Sequence, residues 1–328
     1  MYWYPWLNNS YRQILTQYIL NRGHHALLIQ SLPGMGSKSL VRAIERWLMC
    51  KKPQETKSCG KCHSCRLMIS GNHPDLYHLE SEKGQNTIGI DSVRKIKEKL
   101  YHHASLGGAK VCCLLEAHQL TDSAANALLK VIEEPPANTW FFLYLRESEY
   151  LLDTLRSRCI VWKLPIPDKE LSLIWLHHHH PSDIQKHNIA LRLSFGAPVS
   201  ALELLSESCW KHRLQICNAF FKAIDGDILS LLPILHQNNT IRCIEWLCSL
   251  LIDAAKWTQG AMQFISNLDQ TSLVINISKW LPMNILNDSM RQWMICRYRL
   301  LTISGVNCEL LLTEQLLQWE YDISSCKD

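Results

Sequence analysis

The sequence predicts an α/β domain on a five-stranded parallel sheet, followed by a half built only of helices. Three observations carry this. Short β-like runs alternate with amphipathic helical patterns up to about residue 167. Strand-like runs then cease. Proline pairs fall where one kind of pattern gives way to the next. Strands that alternate with helices imply a parallel sheet with helices on both faces.

The candidate strands are 26–30, 76–79, 110–115, 140–145 and 159–163, with helical patterns near 38–49, 91–103, 122–133 and 149–156. "EEPP", Glu133 to Pro136, stops the third helix, because proline removes a donor and restricts the residue before it. "LPIPDKE", from Leu164, reads as a hinge. "KELSLIWLHHHH" and "DIQKHNIALRLS" read as short helices closed by Gly196 and Pro198. From about 208 onward the pattern is helical, with Ile244, Leu247, Cys248, Leu251 and Ala255 on one stripe. Asn307 suits the N-cap of the last helix. The tryptophans of this half read as packing anchors. His177–His180 read as a solvated helix end, since consecutive residues do not share a helix face.

The 328 residues are 47% apolar and 20% charged, the balance of a soluble globular protein. No uninterrupted apolar run reaches membrane-spanning length, and "MYWYPWLNNSYRQIL" lacks the pattern of a secretory signal, so a cytoplasmic protein is expected. A net charge of +4 permits contact with a nucleic-acid backbone without arguing for it. Fourteen cysteines are many, and a cytoplasmic setting disfavours disulfides. Ten of them, including Cys112, Cys113, Cys243 and Cys248, read as small core residues.

The other four, Cys50, Cys59, Cys62 and Cys65, lie within sixteen residues. Zinc wants four soft ligands in a tetrahedron, and Cys-x-x-Cys turns supply adjacent corners. Four cysteines leave no open position for water, so the site reads as structural Zn²⁺. An iron–sulfur cluster is an alternative, although the ferredoxin spacing would need a cysteine where Ile69 stands. Free thiols are another, and His63 and His73 are substitute ligands.

"QSLPGMGSKSL", 30–40, sits between a strand and a helix, where a phosphate loop would. A working loop reads G-x-x-x-x-G-K-[ST]. With Gly36 as its last glycine, the first falls on Ser31 and the lysine on Ser37. Shifting the frame to use Lys38 and Ser39 puts the glycines on Leu32 and Ser37. A slip of one residue turns a helical side chain by roughly 100°, so Lys38 does not simply stand in. The later metal-binding motif has Glu116 in place but Leu115 where an aspartate should hold Mg²⁺. Gly34, Gly36 and Lys38 thus read as a degenerate loop that holds no ATP, with a residual anion site left open. The competing reading is an ATPase with an unorthodox loop using Lys38, Ser39 and Glu116.

"YPWL", "RGHHALLIQSLPGMG", "CGKCHSC", "LGGAKV", "ANALLKVIEEPP", "TWFFL" and "LRSRC", in this order, resemble the AAA+ clamp-loader family, specifically the delta-prime subunits of bacterial DNA polymerase III. The resemblance is close as far as Cys159 and weaker beyond, through "LRLSFGAPVSAL" and "ISGVNCELLLT". It implies a nucleotide-fold domain over 1–166 with a zinc module at 50–65, a helical lid over 167–207 and a helical collar over 208–328. It also implies a subunit of a DNA-directed DNA polymerase (nucleotidyltransferase) holoenzyme. The partners would be gamma/tau-type ATPase subunits and a delta subunit in a hetero-pentamer, the sliding clamp and primer-template DNA, with no membrane. In such rings ATP sits between neighbours, and a Ser-Arg-Cys motif, here Ser157, Arg158 and Cys159, supplies an arginine in trans. The lid position that carries an arginine in family ATPases is Val199, and the polar sensor after "TWFFL" falls on Leu145 or Arg146. Arg94, Lys95, Lys97 and Lys99 lie on a helix resembling one that lines the ring's channel; a solvated helix face is the alternative.

Overall fold

The computed structural model describes residues 2–81, 86–147, 149–224, 226–237, 239–303 and 305–324. The chain forms two compact units, Met1–Leu171 and Ser172–Asp328.

The first unit holds α1 (Leu7–Ile19), β1 (Ala26–Ser31), α2 (Ser37–Leu48), α3 (His63–Ser70), β2 (Leu76–His78), α4 (Ile90–Tyr101), β3 (Lys110–Leu114), α5 (Asp122–Glu133), β4 (Thr139–Arg146), α6 (Asp153–Arg156) and β5 (Ile160–Lys163). The five strands form one parallel sheet in the order β2-β3-β4-β1-β5. Every residue of β1 is buried, as expected of a strand covered by helices on both faces. Leu28, Leu114, Phe141 and Leu143 from three strands pack with Leu128 and Ile132 of α5.

The expected helix over 149–156 is shorter. Glu149 accepts a hydrogen bond from the Arg146 amide and pairs with His118, so only 153–156 turn helical. The helices α1 and α3 were not among the expected ones; Leu7, Ile14, Leu15 and Tyr18 form the buried face of α1.

The second unit takes in most of α7 (Lys169–His179), then α8 (Ile184–Leu193), α9 (Pro198–Leu204), α10 (Glu207–Ile224), α11 (Leu232–Leu235), α12 (Thr240–Thr258), α13 (Thr271–Trp280), α14 (Met283–Thr302) and α15 (Cys308–Ser324). Gly196 ends α8 in the left-handed region at φ +84°, but Pro198 opens α9 rather than closing α8. Its fixed φ suits a first turn that needs no donor there. His177, His178 and His179 end α7 and are exposed. Asn307 Oδ1 accepts from the Leu310 amide at 3.2 Å, as a cap should. Trp293 and Trp319 are fully buried, ring to ring at 5.5 Å, and Trp319 donates to Ser289 Oγ at 2.7 Å.

Arg213 is a buried cation. It pairs with Asp269 at 2.7 and 2.8 Å and donates to Asn267 at 2.8 Å. Asp253, also buried, accepts from the Ser266 and Asn267 amides and ties the segment after α12 to that helix. A charge that deep stands only when paired.

Cys112, Cys113, Cys159, Cys217, Cys243, Cys248 and Cys296 are buried as core residues. Cys209 and Cys308 are only half-buried, and Cys209 takes a hydrogen bond from Arg242 at 3.3 Å. Cys326 lies outside the described residues.

Candidate functional site

The parallel sheet has two edges where chemistry can gather. At the carboxyl ends of the strands, β1 runs into the loop at 32–36, and α2 starts at Ser37 behind Gly36, which has φ +83°. Ser31 and Ser37 stand where a working loop needs its first glycine and its lysine. Their hydroxyls bond each other at 2.5 Å, drawing the loop shut. Trp6 Nε1 donates to the Met35 carbonyl at 2.9 Å, and Tyr4 stacks on Trp6 at 5.0 Å. The Tyr4 ring lies so close to Gly36 that an added Cβ would sit 2.4 Å from Cδ2.

Charge along this edge is spent internally. Lys38 pairs with Glu116 at 3.5 Å. His118 Nδ1 lies 3.8 Å from Glu116 and 3.1 Å from Glu149, and Glu149 meets Arg146 Nε at 3.4 Å. Burial alone would raise the Glu149 carboxyl, but His118 and the Arg146 amide outweigh it and hold it below the usual range. Leu145, one of the two expected sensor positions, is buried in the core; Arg146, the other, is the one at this edge.

The amino ends of the strands form the other edge. The β1–β5 register pairs Leu27 with Ile160, so His25 and Arg158 are level two residues earlier. Ser157 ends α6, its hydroxyl donating to the Thr154 carbonyl at 2.9 Å, and Cys159 is buried. Between them Arg158 points outward with a side chain 54% exposed, its Nε donating to Glu133 Oε1 at 3.0 Å. Arg156, two residues earlier, instead turns in to Gln30 at 3.3 Å. Arg158, Glu133, Ser157, His24, His25 and Ile160 border an open cleft of about 400 Å³. His25 Nε2 meets the Ile132 carbonyl at 2.7 Å; since a carbonyl only accepts, the ring nitrogen carries the proton. Burial pulls the His25 pKa down, keeping that donor neutral.

The sulfurs of Cys50, Cys59, Cys62 and Cys65 lie within 4.8 Å of one another, with Cys59 and Cys65 at 3.9 Å. A tetrahedron of sulfurs about one zinc ion has edges of roughly 3.8 Å, so this donor set fits such an ion. The amides of Cys59, Cys62 and Cys65 donate to Cys50, Cys59 and Cys62 sulfurs at 3.3 to 3.4 Å. Amides of Lys61 and Cys62 push the Cys59 thiol down to about 6, whereas burial pushes Cys65 up to about 12. Tyr11 and Trp47 pin the long arm through the Thr56 and Glu55 carbonyls, each at 2.7 Å. His73 is no substitute ligand here: its two ring nitrogens meet Ser64 Oγ and the Asp75 amide. His63 is exposed and stands outside the sulfur cluster.

Arg94, Lys95, Lys97 and Lys99 are all exposed on α4. Arg94 pairs with Asp91 at 3.2 Å and Lys97 lies 5.8 Å from the Tyr101 ring centre. Val199 is half-buried in the first turn of α9. Sequence reasoning missed Tyr4 over Gly36, the Glu149–His118 pair and Glu133 beside Arg158. The "EEPP" stretch contains Glu133, but in the linear chain it signals only the end of a helix.

Family models match residues 7–321 in three pieces. "DNA polymerase III, delta subunit" covers residues 7–168, the AAA+ ATPase lid domain of "DNA polymerase III subunit delta'" covers 167–206, and "DNA polymerase III, delta subunit, C terminal" covers 207–321. A DNA polymerase III subunit delta' from Yersinia pestis is 49% identical over 99% of this chain and 97% of its own. The subunit of that name from Escherichia coli K12 is 45% identical over 98% and 96%. A DNA polymerase III subunit tau from Salmonella typhimurium is 26% identical over 78% of this chain and 41% of its own.

Proposed function

The chain belongs to the delta-prime family of DNA polymerase III subunits, and on that premise we propose that it hydrolyses no ATP itself and lends Arg158 to a neighbouring ATPase subunit. The observation that carries this is one of position. The closed loop and the exposed arginine stand at opposite edges of one sheet, separated by the six residues of β1, roughly 20 Å of strand. Arg158 therefore serves a nucleotide on another subunit or none.

The chemistry agrees. A transferring phosphoryl group spreads charge over its oxygens, and a planar guanidinium matches that charge with several donors. The chain's own loop offers no lysine in frame and no Mg²⁺ ligand at Leu115, and Lys38 is taken up by Glu116.

In this reading the chain is a rigid member of a clamp-loader hetero-pentamer with gamma/tau-type ATPase subunits and a delta subunit. It helps load the sliding clamp on primer-template DNA in the cytoplasm, as part of a DNA-directed DNA polymerase holoenzyme. Its working divisions are 1–166, 167–207 and 208–328. Cys50, Cys59, Cys62 and Cys65 hold Zn²⁺, which braces the arm and does no catalysis. Arg94, Lys95, Lys97 and Lys99 meet DNA phosphates without regard to sequence. No helix among the described residues is long and apolar enough to cross a membrane.

The test is ATP turnover by the reconstituted complex with clamp and primed DNA. Arg158→Ala should lower it while Lys38→Ala leaves it unchanged. The reverse pattern, or micromolar Mg²⁺-dependent ATP binding by the lone chain, would replace this reading with that of an ATPase.

A further inference from the structure

We infer that Glu133 is the positioning residue for Arg158, holding the guanidinium by one edge so that its other edge stays free for the neighbour's phosphates; this rests on the trans-arginine reading above. The contact is made through Nε alone, at 3.0 Å, and no hydrogen bond of the terminal guanidinium nitrogens is found among the described residues. A restraining carboxylate would take the terminal nitrogens in a two-point fork. This one leaves that fork open.

The placing of Glu133 is itself informative. It is the last residue of α5, followed by Glu134 and two prolines. Acidic groups at the negative end of a helix are unfavourable, and a cation beside them offsets the cost. Arg158 is that cation.

The support runs deeper than the pair. His25, just before β1, donates Nε2–H to the carbonyl of Ile132, the residue preceding Glu133. Ile132 is itself packed in the core. The end of α5 is thus fastened to the start of the central strand. From that anchor Glu133 reaches Arg158, whose own backbone amide is held by the Leu155 carbonyl at 3.2 Å. One end of the Glu133–Arg158 contact is thus fastened beside the central strand and the other to the last turn of α6. An unsupported arginine would sample many rotamers, and ordering it would weaken each contact it makes.

Full-length variants, assembled with the ATPase subunits, sliding clamp and primed DNA, decide the matter. Glu133→Ala should remove at least half of the turnover that Arg158→Ala removes, in kcat with KM for ATP unchanged. Glu133→Gln, which keeps an oxygen at the same reach, should retain most of it. The double variant should match Arg158→Ala alone. Unchanged or raised turnover in Glu133→Ala overturns the inference, as does an additive loss in the double variant. Should Glu133→Ala fail to assemble, Glu133→Asp keeps the charge but draws the acceptor back by one methylene. It should lower kcat, and unchanged turnover there also overturns the inference. A silent Arg158→Ala sinks the trans-arginine reading instead, so the two failures are told apart.

Discussion

Lys38 and Arg158 are both exposed cations beside a glutamate, at 3.5 and 3.0 Å, yet the two edges of the sheet use them in opposite ways. The glutamate facing Lys38 belongs to a run of alternating charge through His118, Glu149 and Arg146. Its two acids face two permanent cations, so little field is left to attract a polyanion. The glutamate facing Arg158 stands at a helix end and engages one nitrogen. What distinguishes the edges is therefore which donor atoms remain available once the ion pairs are made.

The largest effect expected from this contrast lies at the amino-end edge. An arginine supplied in trans contributes about 10³-fold or more to turnover at the site it serves. Arg158→Ala should thus nearly silence that one site in single-turnover measurements while the complex still assembles. Next comes the cysteine arm, which leaves from α2, the helix of the closed loop. Cys62→Ser should release one metal equivalent by elemental analysis and lower the thermal midpoint, with turnover per assembled complex preserved. Full loading with metal in that variant would remove Cys62 from the donor set.

Gly36→Ala follows. A left-handed backbone costs about 1–2 kcal/mol for a residue with a Cβ, and the Tyr4 ring must move as well. Chemical denaturation should show that loss without a change in turnover. A variant as stable as the parent would mean that the aromatic cover is loose. Lys38→Ala should cost less than about 1 kcal/mol, since the pair is solvent-screened.

The smallest difference is in pH response, and it has opposite signs for two groups packed against the sheet, Glu45 and His25. Glu45 of α2 is buried, and burial holds its carboxyl above its usual 4.5, with the Cys113 thiol donating to it at 2.5 Å. The folded state then binds the extra proton. Glu45's contribution is present below 4.5 and is lost as pH rises through its elevated value. His25 has a lowered pKa, so the unfolded state binds the extra proton. Its contribution is lost as pH falls from 6.5 through the lowered value. Thermal midpoints against pH should flatten above pH 4.5 in Glu45→Gln. In His25→Asn they should flatten on the acidic side, and no change of slope in either would unseat its assignment.

Much of this was legible in the linear chain. Apolar runs placed all five strands within a residue or so, and in β1, β3 and β4 burial on both faces demands continuous hydrophobicity. Cysteine spacing brought out the four sulfurs that meet within 4.8 Å, because short loops carry their own geometry. Frame-counting around Gly36 marked the loop as degenerate. The order β2-β3-β4-β1-β5 was not legible, nor was the level at which His25 and Arg158 stand. Both follow from register between strands far apart in sequence.

The sequence by itself determined which elements form, where the four thiols gather and that the phosphate loop lacks its lysine. Local spacing suffices for each of these, since hydrophobic period, turn length and motif frame act within a few residues. Only the tertiary structure decided that Tyr4 closes on Gly36, that Lys38 is taken up by Glu116 and that Glu133 holds Arg158 by one edge. These contacts join residues 25 to 78 positions apart. Their distances depend on how helices and strands pack, and no short-range pattern encodes that.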